Sequence, residues 1–92
     1  MSTEIDLGNG YIGHLIAASE ARPHPSGYLG ITIRHPTPDG GQCGYIATWD
    51  GARGPDHTWT LVSLDPLHIE PSLLCHTCGG HGFVRNGRWE PA

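Results

Sequence analysis

The sequence predicts a mainly β fold: one small antiparallel domain with a zinc knuckle, a C-terminal hairpin and at most one short helix. Three observations carry that expectation. Gly and Pro account for 22 of the 92 residues, about twice their usual share, which favours short elements joined by many turns. Leu, Ile, Val and Phe account for only 18, so apolar burial must be thin and something else has to help hold the chain together. The β-branched and aromatic residues fall in short runs bounded by turn signals, as strands do and a helical bundle does not.

Residues 1–10 read as a polar start that closes on the turn signal Gly8-Asn9-Gly10. Tyr11 to Ala17 suits a short strand, although Ile12, Leu15 and Ile16 also fit one stripe of a helix and no cap residue decides between them. Pro23, Pro25 and Gly27 force a connection. Tyr28 to Arg34, with Ile31, Thr32 and Ile33 in a row, is a strand, and Pro36, Pro38, Gly40 and Gly41 end it. Tyr45 to Trp49 and Thr58 to Leu64 are two more strands, flanking the turn-rich Asp50 to Asp56. Strict alternation in the second would put Trp59, Leu61 and Ser63 on one face and Thr60, Val62 and Leu64 on the other. A fifth short strand, Leu67 to Glu70, is expected to stop at Pro71. Asn86-Gly87 then separates Phe83-Val84-Arg85 from Arg88-Trp89-Glu90, the strongest short hairpin signal, because both turn residues tolerate positive φ. A two-residue loop pairs Arg85 with Arg88 and Val84 with Trp89.

Charge and cysteine usage narrow the function. The net charge is −4, and all five basic residues are Arg, scattered along the chain. Bulk nucleic-acid binding is therefore not expected, since it rests on many cationic phosphate contacts. No apolar stretch approaches the roughly 20 residues that span a bilayer, and the first residues lack the charged and apolar regions of a signal peptide. A soluble, cytoplasmic, single domain over residues 1–92 with no membrane partner is the expectation. Three cysteines beside seven histidines argue against a secreted disulfide framework and for a metal.

Cys75-His76-Thr77-Cys78-Gly79-Gly80-His81 sets three potential ligands at i, i+3 and i+6. A CxxC in a tight turn can aim two thiolates at one tetrahedral ion, and the glycines let backbone amides approach the sulfurs. His81 can add an imidazole nitrogen, and Cys43, after two glycines at a strand entrance, is the choice for the fourth position. The expected site is a closed zinc centre of Cys43, Cys75, Cys78 and His81, with His57, His68 and His76 as second choices for the fourth ligand. The plain alternative for Cys43 is a small buried apolar residue. His14, His24 and His35 read as surface or hydrogen-bonded residues. Structural Zn²⁺ contributes about 10 to 16 kcal/mol in small domains, against a net stability of about 5 to 10 kcal/mol for a chain of this size, so the ion would be the main organiser.

Other chemistries fit less well. His68-Ile69-Glu70 followed by Cys75 and Cys78 resembles the zinc-deaminase signature, but the short spacing between Glu70 and Cys75 leaves no room for the intervening helix and strand. An open zinc site for hydrolysis would need a base such as Glu70 or Asp65. A thiol redox role needs a helix start at the CxxC, which Gly79 and Gly80 disfavour. Covalent haem attachment would need His directly after Cys78, and no phosphate-binding glycine fingerprint is present. Arg85, Arg88 and Trp89 are the candidate partner-binding residues, since Arg and Trp are enriched at interface hot spots; Trp89 reads more readily as core, and the two arginines also read as solvated or paired with Asp or Glu. Trp49 and Trp59 are expected in the core.

Trp59-Thr60-Leu61, then Ile69-Glu70-Pro71-Ser72-Leu73, then Cys78-Gly79-Gly80-His81-Gly82-Phe83 and the Asn86-Gly87 hairpin form a familiar string. From Cys43 to Trp89 it resembles a domain-of-unknown-function family of small bacterial and phage proteins. Its members read W-x-L, then P-S-I or P-S-L, then C-x-x-H, an aromatic residue and an N-G hairpin. The resemblance implies metal-ligand status for Cys78 and His81, and for Cys43, which is similar to the family's upstream Cys-Gly element. Relatives can carry more cysteines upstream, so Cys75 completes the set here, and the first 40 residues lie outside the resemblance. Members found in phage genomes, or beside ubiquitin-like conjugation components, imply interaction or conflict roles. The expected function is a noncatalytic zinc-stabilised module that binds a protein or a small ligand, with a zinc-dependent hydrolase or a thiol redox protein as alternatives.

Overall fold

Turn residues divide the chain into eight strands. The structure, a computed structural model, describes residues 4–37, 39–74 and 79–92. The strands are β1 (Glu4–Gly8), β2 (Tyr11–Ala17), β3 (Tyr28–Pro36), β4 (Gln42–Thr48), β5 (Thr60–Leu64), β6 (Leu67–Leu74), β7 (His81–Arg85) and β8 (Arg88–Pro91). One 3-10 turn, Pro55–His57, lies between β4 and β5. The strands form two antiparallel sheets in chain order, β1-β2-β3-β4 and β5-β6-β7-β8. The mainly β antiparallel class is as the sequence predicts. No helix among the described residues is long and apolar enough to cross a membrane.

Two hairpins rest on the same dipeptide. Asn86 and Gly87 have φ of 58° and 74°, and the ladder pairs Arg85 with Arg88 and Val84 with Trp89, as expected. Asn9 and Gly10, with φ of 56° and 84°, turn β1 into β2, so the stretch before them is a strand and not merely a polar start. Ile5 and Leu7 give β1 its inward face, and Leu7 is fully buried.

Two expectations fail at bulges. The β5–β6 register shifts between Leu61 and Ser63, so Leu61 and Leu64, three residues apart, both pack on the core while Val62 is exposed. Strict alternation is therefore broken. β6 also runs through Pro71 to Leu74 instead of stopping there. Its pairing with β7 jumps from Ile69↔Val84 to Leu73↔Gly82, so Pro71, which has no N–H, falls where the ladder is interrupted.

The inner faces share one core. Ile31, Ile33, Tyr45 and Ala47 from the first sheet meet Leu67, Ile69, Leu73, Val84 and Trp89 from the second. Rings compensate for the shortage of aliphatic residues. Tyr11 stacks on His35 with centroids 4.9 Å apart and on Trp89 at 4.6 Å, and Tyr45 lies 5.1 Å from both His35 and Trp89. Trp89, only 4% exposed, thus belongs to the core. Trp49 is buried with its Nε1–H donating to the Tyr28 carbonyl at 2.8 Å, while Trp59 is half-buried against the same core.

Candidate functional site

A cleft of about 580 Å³ opens where the second half of β6 comes alongside β4. Gly44, Tyr45 and Ile46 contribute one side and Ser72, Leu73 and Leu74 the other. Arg53, Asp56, His57 and Trp59, from the connection around the 3-10 turn, complete it. Local chemistry sets that connection: the Trp59 N–H donates to the Thr48 carbonyl at 2.9 Å, and the Thr58 hydroxyl donates to Gly54 O at 2.7 Å. The Trp59 Nε1–H donates to the Ser72 carbonyl at 3.3 Å, which fixes the indole against β6. Ile46 and Leu74 line the cleft and are 44% and 49% exposed. The site is therefore concave, largely apolar and carries Arg53, Asp56 and His57, a composition suited to holding a ligand.

Of the four expected metal ligands, Cys43 and His81 are among the described residues. Cys43, 9% exposed, stands on the inner face of β4 directly before the cleft residue Gly44. His81 opens β7, exposed, and is register partner to the cleft residue Leu74. Its ring lies 6.1 Å from that of Phe83. Cys75 and Cys78 lie outside the described residues, as does His76; in the sequence they occupy the link from Leu74 to His81. Among the described residues no three His, Cys, Asp or Glu converge on one point.

The second-choice ligands separate clearly. His57 lines the cleft. His68 lies six positions before Leu74 on β6 and is held by Glu70, Nε2 to Oε1 at 3.2 Å. Glu70 thus contacts His68 and is not among the residues that line the cleft. After Gly79, with φ of 75°, the chain enters β7 with no helical turn, so the helix start that would activate a redox thiol is missing among the described residues. His14 lies 3.9 Å from Glu4, His24 Nδ1 is 2.8 Å from the Ser26 hydroxyl, and buried His35 places Nδ1 3.1 Å from the Pro36 carbonyl oxygen.

Arg85 and Arg88 are exposed on the outward face of the β7–β8 hairpin, opposite the face that buries Val84 and Trp89. The Arg85 guanidinium sits over the Phe83 ring, 4.1 Å from its centroid. Sequence reasoning did not find the cleft. Its polar residues come from a stretch legible only as a turn, and the approach of β4 to β6 is a tertiary fact that no local pattern encodes. No family model, curated protein or solved structure matches this chain.

Proposed function

We propose that this protein is a noncatalytic binding module, stabilised by one zinc ion at the closed end of the β4–β6 cleft, which takes an apolar ligand or partner segment in the cleft itself. One juxtaposition carries the reading. Gly44 and Leu74 line the same cleft, Cys43 adjoins the first, Cys75 adjoins the second, and His81 is paired with the second. Cys43 and His81, far apart in the sequence, thus each adjoin a residue of one cleft, which supports reading them as ligands of one ion. Zinc there would clamp the two sheets, and its charge would hold the thiols deprotonated.

Cys75, Cys78 and His81 would supply three ligands, with Cys43 the fourth and His57 its competitor. Cobalt substitution tests the set. A closed tetrahedral site of three thiolates gives intense sulfur-to-metal charge-transfer bands that added anions do not alter. Cys43→Ser should weaken those bands, whereas His57→Ala should leave them unchanged. Chelation of the zinc-loaded protein should abolish cooperative unfolding. A protein that purifies without metal and unfolds cooperatively in excess EDTA would overturn the proposal, and anion-sensitive cobalt spectra would move it to an open, hydrolytic site.

A further inference from the structure

We infer that the outward face of the β7–β8 hairpin is a binding site for a phosphate monoester, carried by a phosphorylated segment of a partner protein and gripped by Arg85 and Arg88. This site is separate from the cleft and does not depend on the zinc reading.

The argument begins with a cost. The Asn86-Gly87 turn fixes Arg85 directly opposite Arg88, and like charges so placed destabilise a strand pair. The turn cannot relax to separate them, because the Gly87 N–H donates to the Leu67 carbonyl at 2.9 Å and pins the hairpin tip to β6. The chain has nine carboxylates, yet none of those described lies within 4.0 Å of either guanidinium. The nearby Asp6 carboxylate instead accepts the Gly8 N–H at 2.9 Å. Two of the five arginines thus stand opposite each other in the ladder on this turn, with Glu90 as the carboxylate of the same face and no ion pair to it within 4.0 Å, in a molecule of net charge −4.

The side chains are also partly prearranged. The Arg85 guanidinium carbon sits 4.1 Å from the Phe83 ring centroid, a cation–π contact that restrains the side chain over β7. Arg88 reaches along Gly8, where an added Cβ would come 3.2 Å from its terminal nitrogen. A carboxylate carries one negative charge on two oxygens. A phosphate monoester presents three oxygens and close to two negative charges, and so engages two forks together. A nucleic-acid backbone would need further cations along its path, which this acidic chain does not supply.

The test is an NMR titration of the intact protein, read on backbone amides and arginine Nε–H signals. The probes are the peptide Gly-Ala-phosphoserine-Ala-Gly, its unphosphorylated form, the same peptide with Glu at the centre, and inorganic phosphate. The phosphopeptide should shift signals of residues 83–90 saturably, with R85Q and R88Q each weakening binding by about tenfold, and the unphosphorylated peptide should be silent. R85K and R88K keep the charge but lose the fork, and should fall between wild type and the Gln variants. Both arginines are exposed, so unchanged shifts elsewhere will show that the variants fold. Absence of shifts at millimolar phosphopeptide, or shifts that survive both Gln substitutions, would overturn the proposal. Equal binding of the Glu peptide would overturn the phosphate assignment, and inorganic phosphate binding as tightly as the peptide would overturn the partner segment.

Discussion

Gly82 has no room for a side chain. A Cβ there would come 2.5 Å from the Trp89 indole and 2.6 Å from the Glu90 carbonyl oxygen, and the second of these is backbone. Gly82→Ala should therefore cost about 1 to 3 kcal/mol, read as a lower denaturant midpoint at unchanged slope. Trp89→Ala removes the ring that joins Tyr11 to Tyr45 across the sheets and should cost about 3 to 5 kcal/mol, a large part of what a domain this size possesses. Two carboxyls set the acid limit. The Thr37 hydroxyl and the Gly41 N–H hold Asp39 below the usual carboxylate value. At Asp50 burial pushes upward, but the Ala52 N–H and the Arg22 guanidinium outweigh it and the group is lowered as well. Groups depressed in the folded state add stability above the ordinary value of 3.8, and that contribution disappears as the pH falls through their lowered values. The part of the unfolding midpoint owed to these two groups should fall below about pH 4, and Asp50→Asn should flatten that part.

The hairpins and bulges show where local sequence decides structure. Both Asn-Gly turns were readable, but only the second was flanked by runs apolar enough to announce its strands. β1 alternates Glu4, Ile5, Asp6 and Leu7, too short a pattern to stand out without its partner β2 on the page. Pro71 and Val62 mislead for a common reason, since a strand pattern assumes an unbroken ladder and a bulge resets it by pairing that lies far along the chain. Of the candidate site, Cys43 and His81 were legible as standing at strand entrances, and the strands begin early enough to include both, while the cleft that joins Arg53, His57 and Trp59 was not legible because a loop's tertiary neighbours leave no local signature. The hairpin also yields a prediction at its own scale. Arg88→Glu replaces a like-charge pair by an opposite-charge one and should raise stability by about 0.2 to 1 kcal/mol, measured by thermal or chemical denaturation, with the gain shrinking in high salt.

In the whole molecule every strand pairs only with its neighbours in the chain, and the two sheets are drawn from separate halves of the sequence. Contacts between the halves are mostly side chain on side chain, apart from the Thr48–Thr58 bridge and the Trp59 N–H that donates to the Thr48 carbonyl. Low sequence separation within each ladder should make folding quicker than is usual for proteins built from paired sheets. Stopped-flow refolding would check this by a rate above those of β-sandwiches of similar length. The exposed linker at Gly51 to Gly54 is then a natural place to sever the chain. Peptides spanning residues 1–52 and 53–92, mixed in equal amounts, should find each other and restore the native spectrum, so that the protein would serve as a split reporter whose two pieces report on proximity.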